Sequence, residues 1–475
     1  MTRRARAVND PRREIGLYVG QLLSGELVNK AVRFAAFIVF AHALSASDFG
    51  LVNVAIAISG TALVASSLGL PDLAAREAAI APERAGWLAG HVAVTRVLAV
   101  AGIGTVGILL ASLAWPGHTS LLSLAALMAL FMAASNDWLA RGLERMSVVA
   151  AANAAGGLTV LAGSLAVAAF SGSATAALGA FALAECTVAI VLWTYLRRLS
   201  RFEFGVRGMR SMLRRALPLA FSSLAIYIYY ANLDTIILAA SHSNSQAGLY
   251  SAPYRLFLVL NLVGIFAAYA MLPTLARLSA AGVEVEADQL LRSVLAALAG
   301  YGLLTLGVIE LGGGEVLGLL FGEPFRAASD AFVLLAAGVA WFAVGYPAGY
   351  SLIARGENTR FLRGAATASI LSVGLDIALI PPLGMSGAGL ATMLAFAAGT
   401  LVWLSTRGML GRSAIPILLS LSAASALAVF VVFAHVSAPI AAAGTLFVAI
   451  LLVLLQAPFR LSRVWPASLR NRGEK

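Results

Sequence analysis

The segment RRLSRFEFGVRGMRSMLRR, residues 197–215, decides how this chain of 475 residues is organised. It carries seven arginines, whereas long apolar stretches flank it on both sides. Loops that face the cytoplasm in polytopic membrane proteins are enriched in Arg and Lys. The segment therefore predicts a basic cytoplasmic linker between two membrane-embedded halves.

The composition sets the class of protein. Hydrophobic residues make up 60% of the chain, charged residues make up 12%, and the mean hydropathy is +0.89. Soluble domains have about 45–50% apolar and about 25% charged residues. A β-barrel would show short alternating strands instead of long apolar runs. We therefore predict an all-α polytopic membrane protein. The single cysteine, Cys186, excludes a disulfide within the chain.

Apolar stretches of about 20 residues indicate membrane-spanning helices. The sequence predicts fourteen such spans, at residues 16–44, 51–70, 88–114, 120–140, 148–170, 173–196, 216–240, 249–276, 290–312, 328–353, 362–381, 386–405, 413–434 and 437–456.

The basic residues are distributed very unequally around these spans. Of the 33 Lys and Arg residues, 28 fall on one side of the membrane, four fall inside spans, and Arg326 alone falls on the other side. The positive-inside rule then puts both termini in the cytoplasm, which requires an even number of spans. Fourteen spans satisfy this requirement. Twelve spans would also satisfy it, if two short pairs of spans were misassigned. The net charge of +11 thus reflects topology and not nucleic-acid binding.

An internal repeat relates the two halves. Residues 41–51 read AHALSASDFGL and residues 239–249 read AASHSNSQAGL, with five identities at a constant offset of 198. Each segment follows the first span of a six-span block, so the blocks would be parallel repeats with a substrate site between them. We expect two six-helix bundles around a central cavity and two extra C-terminal helices. The expected divisions are 1–196 for the N-terminal bundle, 197–215 for the linker, 216–405 for the C-terminal bundle, and 406–475 for the extra helices and basic tail.

Four cationic side chains fall inside predicted spans: Lys30, Arg33, Arg96 and Arg255. A charge at the bilayer centre costs roughly 2.5–3.5 kcal/mol on insertion scales. We therefore expect these cations to bind an anionic, lipid-attached substrate, although Arg96 could instead snorkel to the cytoplasmic surface. Glu26 shares one helix face with Lys30 and Arg33. A Glu26–Lys30 pair would be favourable and would leave Arg33 uncompensated.

The spans also contain acidic side chains, among them Glu26, Glu185, Asp234 and Asp376. Ionisable groups in the membrane are rare and often belong to ion or proton pathways. Each of these four is a candidate either for neutralising the cations or for carrying a coupling proton or sodium ion.

No motif for catalysis or cofactor binding stands out. The sequence GIGTVG at residues 102–107 fits GxGxxG, but it lies inside a span with no strand before it. The chain has no Walker A sequence, and its five histidines lack metal-ligand spacing. We expect a transporter rather than an enzyme, with no catalytic residue, no metal, no cofactor and no nucleic-acid partner.

Several short motifs follow one another along the chain in a characteristic order and spacing. They are LSASDFGL at 44–51, WLARGLERM at 138–146, ALP at 216–218 with Asp234, AGLYSAPYRL at 247–256, LFGEPF at 320–325 and LIPPLGMSGAGL at 379–390. Together they resemble the polysaccharide (O-antigen-type) flippase family of the multidrug/oligosaccharidyl-lipid/polysaccharide exporter superfamily, collinearly over residues 15–405. Asp376 departs from the pattern, because relatives often carry an amide there.

The resemblance implies a flippase that moves an undecaprenyl-pyrophosphate-linked oligosaccharide across the bacterial plasma membrane, by alternating access, for surface polysaccharide biosynthesis. It also implies that Arg255 lines the cavity. A guanidinium suits a pyrophosphate because its planar fork binds phosphate oxygens in bidentate fashion. The implied partners are the lipid-linked oligosaccharide, membrane lipids, a polysaccharide polymerase and glycosyltransferases.

Two other functions stay open. A cation-coupled drug or metabolite antiporter of the same superfamily would favour acids and aromatic side chains in its cavity over clustered cations. A membrane polysaccharide polymerase or ligase would need a large extracytoplasmic loop. The longest candidate loop, residues 313–327, is too short to form a domain.

Overall fold

The computed structural model describes residues 29–67, 69–114, 117, 119–170, 172–199, 201–217, 233–405, 415–434 and 445. Most of these residues are helical, as expected of apolar segments that must satisfy their own backbone hydrogen bonds in lipid. The N-terminal helices are α1 (29–43), α2 (Ala46–Ser67), α3 (Leu70–Ile80), α4 (Ala85–Ala114), α5 (Thr119–Ala134), α6 (Asp137–Gly142), α7 (Met146–Phe170), α8 (Ala174–Leu196) and α9 (209–217).

The C-terminal half continues the same pattern. A short 3₁₀ helix, Glu323–Ala328, precedes the most buried of its helices. The helices are α10 (Leu233–Ser241), α11 (Asn244–Leu260), α12 (Leu262–Ala280), α13 (Glu284–Phe321), α14 (Ser329–Ala354), α15 (Asn358–Ser405) and α16 (Ile415–Ala434).

The long helix α15 is a hairpin of two spans. A straight helix of its 48 residues would measure about 72 Å, more than twice the hydrocarbon thickness of about 30 Å. Gly384 interrupts it with φ 59° and ψ −135°. A Cβ atom on Gly387 would lie 2.2 Å from the carbonyl oxygen of Leu379, and one on Gly399 would lie 2.9 Å from the Cβ atom of Ala368. The chain therefore reverses at Gly384, between predicted spans 11 and 12.

The described helices agree with about fourteen spans. Ten helical segments are long and apolar enough to cross a membrane, and α15 supplies two spans. Together they account for predicted spans 2–6 and 8–13. Spans 1 and 7 are described in part, by α1 and α10. Span 14 lies outside the described residues except for Thr445.

The repeated segments form the same local structure in both halves. Helix α2 begins at Ala46 and α11 begins at Asn244, which reproduces the offset of 198 found in the sequence. Ser45 accepts a hydrogen bond from the N–H of Asp48 at 3.1 Å, and Ser243 accepts one from the N–H of Gln246 at 3.2 Å. Both serines thus satisfy an N–H group that a helix start leaves unpaired. Ser45 and Ser243, which match in the repeat, are therefore helix N-caps.

Helix α13 runs further than the sequence predicted. Residues 313–321, expected to belong to an extracytoplasmic loop, continue the helix to Phe321. Gly312, with φ −147° and ψ 19°, introduces a kink at the end of the predicted span. The apolar residues beyond the glycines, such as the buried Leu317 and Phe321, pack against the unit and keep the segment helical.

The described residues fall into two compact units, one ending at residue 217 and the other beginning at residue 233. Part of the basic linker packs on the N-terminal unit. The N–H of Glu203 donates to the carbonyl of Gly86 at 3.3 Å, and Arg215 pairs with Glu77 at 2.6 Å. The buried Met209 of α9 contributes to the same apolar core. In the C-terminal unit, α14 is buried almost throughout.

Candidate functional site

Arg33 is held by a carboxylate from the last long helix of the N-terminal unit. Its Nη1 donates a hydrogen bond of 2.9 Å to Oε1 of Glu185 on α8. The Arg33 side chain is 26% exposed and that of Glu185 is 13% exposed. A guanidinium has five N–H donors. The partly exposed Arg33 can therefore keep this carboxylate and still offer donors to a second anion.

Two adjacent glycines on α7 allow α1 to come this close. A Cβ atom on Gly156 would lie 3.4 Å from Nη2 of Arg33, and one on Gly157 would lie 3.0 Å from Oδ1 of Asn29. Gly156 also meets α8, because its Cβ atom would lie 2.5 Å from a methyl group of Val188. A larger side chain at Gly156 would require Val188 to shift, and one at Gly157 would press on Asn29. The two glycines thus permit close packing of α7 against α1 and α8 beside Arg33.

The pairing corrects the expectation that Arg33 is uncompensated. Its partner lies 152 residues away in sequence, on a different helix. Lys30 is exposed on α1. Glu26 lies outside the described residues, so the Glu26–Lys30 pair stays a prediction. The ion pair with Arg33 is consistent with the neutralising role expected for Glu185, and its coupling role stays a prediction.

Arg96 is buried within the N-terminal unit, with only 4% of its surface exposed. Its Nη1 donates to the carbonyl oxygen of Ser135 at 3.2 Å, between the end of α5 and the start of α6. The guanidinium therefore binds a carbonyl at a helix break, and the alternative of snorkelling to the surface is wrong. A substrate would reach Arg96 only after the surrounding helices moved.

The C-terminal unit holds a buried carboxylate at the start of α10. Asp234 is 3% exposed and accepts a hydrogen bond of 2.5 Å from the hydroxyl of Tyr250 on α11. The N–H of Thr235 donates to its other oxygen at 2.8 Å. None of the ion pairs between described residues involves Asp234. This acid is held by neutral donors and not by a cation.

Asp376, on the first arm of the α15 hairpin, shares a small cavity with Asp234. It is 3% exposed, and its Oδ1 has no hydrogen-bond partner among the described residues. Two carboxyls with nearby hydroxyls suit a proton or a single monovalent cation. The described residues contain no cluster of three His, Cys, Asp or Glu side chains for a metal ion. The cavity is lined by Asp234, Tyr254, Ser372, Asp376, Thr392, Ala395 and Phe396.

Arg255 is half-buried on α11, directly after Tyr254 of the cavity lining. The structure thus brings the predicted residues together in two groups, Arg33 with Glu185 and Asp234 with Asp376. Arg96 binds the Ser135 carbonyl and belongs to neither group.

One buried acid was missed by the sequence reasoning. Glu310 on α13 is only 4% exposed. Its predicted span ended at residue 312, and the following glycines indicated a loop. The apolar run VLGLLF at residues 316–321 was the available signal for a longer helix.

Comparison with known families gives a match over more than half of the chain. The family described as "Polysaccharide biosynthesis protein" matches residues 19–279. A similar relative is the "Probable low-salt glycan biosynthesis flippase Agl15" of Haloferax volcanii, 24% identical over 202 residues. This alignment covers 41% of each chain, so the chain spans about two fifths of the length of that relative.

Two solved structures share the fold. The structure "Lipid II flippase MurJ, inward closed conformation" is similar with a TM-score of 0.67 at 12% identity, over 92% of this chain and 99% of that chain. An inward-facing multidrug resistance MATE family transporter of the MOP superfamily is similar with a TM-score of 0.57 at 15% identity, over 82% of this chain and 95% of that chain. At such identities these likenesses concern the fold.

Proposed function

The chain belongs to the family of polysaccharide biosynthesis proteins, and we propose that it is a flippase for an undecaprenyl-pyrophosphate-linked oligosaccharide. The family match carries this proposal. The similar relative named as a probable flippase supports it, as does the fold shared with a lipid II flippase. The partly exposed Arg33 adds a group that can bind the charged end of such a lipid.

The pyrophosphate binds Arg33 and Arg255, with Lys30 assisting. Glu185 fixes the direction of the Arg33 guanidinium and lowers the cost of keeping it in the membrane when no substrate is bound. The phosphate oxygens then take the remaining donors in the bidentate geometry that a guanidinium favours. Arg96 is buried, so it holds the break between α5 and α6 and joins the substrate only if that region opens.

Transport proceeds by alternating access between two six-helix bundles. The sugars follow a wet path through the membrane while the lipid tail stays in the bilayer. The protein resides in a bacterial plasma membrane with both termini in the cytoplasm, and a polymerase and glycosyltransferases use or supply its substrate. Reporter fusions after Arg210 and after Arg472 should both report cytoplasm. An extracytoplasmic signal from either fusion contradicts this topology.

The Asp234–Asp376 cavity couples transport to a proton or a sodium ion. Its carboxyls are buried beside hydroxyl groups, and Oδ1 of Asp376 has no described hydrogen-bond partner that would compete with an ion. An ion that neutralises these carboxylates lowers the free-energy cost of keeping them buried. Binding and release of the ion can therefore favour different packings of the C-terminal unit.

Deletion of the gene tests the function directly. We expect a lipid-linked oligosaccharide to accumulate on the cytoplasmic face of the membrane, because its synthesis continues while its transfer stops. A periplasm-specific modification or a membrane-impermeant reagent reports the face. Accumulation on the outer face would contradict a flippase and would indicate a polymerase or ligase step.

A cation-coupled antiporter for drugs or metabolites is the second candidate. The buried acids of the C-terminal unit and the fold shared with a MATE transporter favour it. Overexpression should then raise resistance to cationic drugs, and Asp234→Asn should abolish that resistance. If drug susceptibility is unchanged and the lipid-linked oligosaccharide accumulates after gene deletion, the antiporter is excluded and the flippase is supported.

A further inference from the structure

We propose that Glu310 is a proton-binding site, separate from the Asp234–Asp376 cavity, and that its protonated form keeps α13 packed against α14 and α16. The inference concerns a group that plays no part in the proposed flippase function. It rests on the burial of the side chain, the kink beside it and the groups that surround it.

Glu310 is buried without satisfying its hydrogen-bonding capacity. Its side chain is 4% exposed, and neither carboxyl oxygen has a hydrogen-bond partner among the described residues. The hydroxyl of Thr445, itself fully buried, is the neighbouring polar group. Buried polar groups in proteins are nearly always satisfied, so an unsatisfied one calls for a ligand or a change of state.

The position of Glu310 in α13 explains how it can be both buried and movable. Its near neighbours in sequence, Val308 and Leu311, lie on the outer face of α13. They are 54% and 53% exposed, as expected for a helix in lipid. Two residues after Glu310, the helix is kinked at Gly312, the first of three consecutive glycines. A glycine-rich kink lets one helix segment turn relative to the other at low cost.

The described helices around Glu310 offer it little compensating charge. A Cβ atom on Gly302 would lie 2.4 Å from the Cα atom of Ala340, and one on Gly313 would lie 3.2 Å from the Phe332 ring. The stretch 332–340 of α14, against which these two glycines pack, has no ionisable side chain. Helix α16 has none either. An ionised carboxylate in such surroundings is strongly disfavoured.

The remaining elements near Glu310 carry the following ionisable side chains. Arg326 of the 3₁₀ helix and Asp330 at the start of α14 lie beyond the kink, and Arg326 binds Glu315 and Glu323. Tyr301 of α13 donates to the carbonyl of Leu260. Helix α12 begins just after Leu260 and runs antiparallel to α13, away from Glu310. Its ionisable residues, Tyr269 and Arg277, therefore lie farther from Glu310 than Leu260 does. Those of α11 are Tyr250, Tyr254 and Arg255.

The arrangement favours a proton over a metal ion. A bound hard cation such as Ca²⁺ takes six to eight oxygen ligands, whereas the described residues place one carboxyl and one hydroxyl here. A proton needs only the carboxyl itself. Loss of the proton would put a charge on the buried Glu310, beside the Thr445 hydroxyl. This charge would drive the kinked helix to expose Glu310.

Infrared spectroscopy of the full-length protein in lipid tests this directly, without a substrate. We expect a carbonyl stretching band of a protonated carboxyl that is lost in Glu310→Gln and kept in the Asp234→Asn, Asp376→Asn double variant. If Glu310→Gln does not reach the membrane, Glu310→Asp should shift the same band in frequency. Identical spectra of wild type and Glu310→Gln, or an unmoved band in Glu310→Asp, would overturn the inference.

Two further variants test whether other charged residues contribute to the carboxyl band of Glu310. Glu315→Gln is the matched control, because Glu315 is exposed on the same helix and paired with Arg326. It should leave the band unchanged. Arg255→Gln asks whether Arg255 is a counter-ion. If the band appears only in Arg255→Gln, Glu310 is ionised and paired in the wild type, and the proposal fails.

Discussion

The two halves of this protein share a backbone repeat but bury opposite charges. In the N-terminal unit, the membrane-embedded Arg33 and Arg96 are held by oxygens, from Glu185 and from the Ser135 carbonyl. In the C-terminal unit, the buried Asp234 is held by the hydroxyl of Tyr250. Oxygen acceptors around a cation and neutral donors around an acid solve the same desolvation problem for opposite charges.

The contrast separates two tasks on one repeated scaffold. The matched N-caps Ser45 and Ser243 show that the duplicated element is the start of the second span in each block. The charges do not follow the repeat. In the function proposed above, the cations Arg33 and Arg255, one from each half, bind the anionic substrate, whereas the acids Asp234 and Asp376 of the C-terminal half bind a coupling ion.

The largest expected effect comes from removing the cations. Charge-assisted hydrogen bonds are worth about 1.5–3 kcal/mol each, so losing one arginine should weaken substrate binding by roughly 10- to 150-fold. The Arg33→Ala, Arg255→Ala double variant should therefore fail to complement a flippase-deficient strain at normal abundance in the membrane. Arg33→Lys keeps the charge but loses the bidentate fork, so partial activity is expected.

Arg360→Ala is the matched control for that experiment, because Arg360 is exposed and pairs with Glu357 within one turn. It should complement fully. Full complementation by the double variant as well would show that the substrate does not need these cations.

Removing the acids should affect the driving force and not the binding of substrate. Asp234→Asn and Asp376→Asn should each abolish the dependence of transport on a proton or sodium gradient. Tyr250→Phe removes one hydrogen bond to a charged group, about 1.5–3 kcal/mol, and should shift the ion concentration for half-maximal transport. Transport into proteoliposomes at varied ion gradients measures both the gradient dependence and the ion concentration for half-maximal transport. An unchanged gradient dependence in the Asp234→Asn, Asp376→Asn double variant would place the coupling elsewhere.

Breaking the Arg33–Glu185 pair should lower stability more than activity. Removing one partner costs more in a buried pair than in an exposed one, and this pair is partly exposed. We expect Glu185→Gln to lower the free energy of unfolding by about 1–3 kcal/mol, measured as a lower Tm. Glu323→Gln, at an exposed pair with Arg326, is the control and should leave the Tm unchanged. A Tm equal to that of wild type would mean that Glu185 does not position Arg33.

The smallest expected effect concerns the shared scaffold. Loss of an N-cap costs about 0.5–2 kcal/mol, so Ser45→Ala and Ser243→Ala should lower the Tm by similar small amounts. Ser293→Ala is the control, because that exposed serine bonds to a carbonyl of its own helix. Clearly unequal effects of the two cap variants would show that the repeated segments differ in importance for folding.

The fold was largely predictable from the sequence because its signals are local. Apolar length identifies each span, and the reversal at Gly384 was visible as the LIPPLGMSG stretch between two apolar runs. The offset of 198 between the repeated segments is also the offset between the starts of α2 and α11, although both helices begin five residues before the predicted spans. The extension of α13 through residues 313–321 was missed, because three glycines suggest a turn when packing partners are unknown.

The site was less predictable because its contacts are not local. Glu185 lies 152 residues from Arg33, and no spacing rule joins them. Arg96 looked close enough to the surface to snorkel, yet a helix break at Ser135 provides an acceptor inside the protein. The residue types in the spans indicated that charge is used in the membrane. Their partners followed only from the three-dimensional fold.

Translocation of a lipid-linked oligosaccharide by the purified protein tests the central claim most directly. Proteoliposomes would carry an undecaprenyl-pyrophosphate-linked oligosaccharide in one leaflet, and a membrane-impermeant glycosidase outside would report its arrival. We predict cleavage beyond the initially exposed fraction with the wild type, none with the Arg33→Ala, Arg255→Ala variant, and wild-type rates with Arg360→Ala. No gain over protein-free liposomes, with folded wild-type protein and either ion gradient applied, would contradict a flippase.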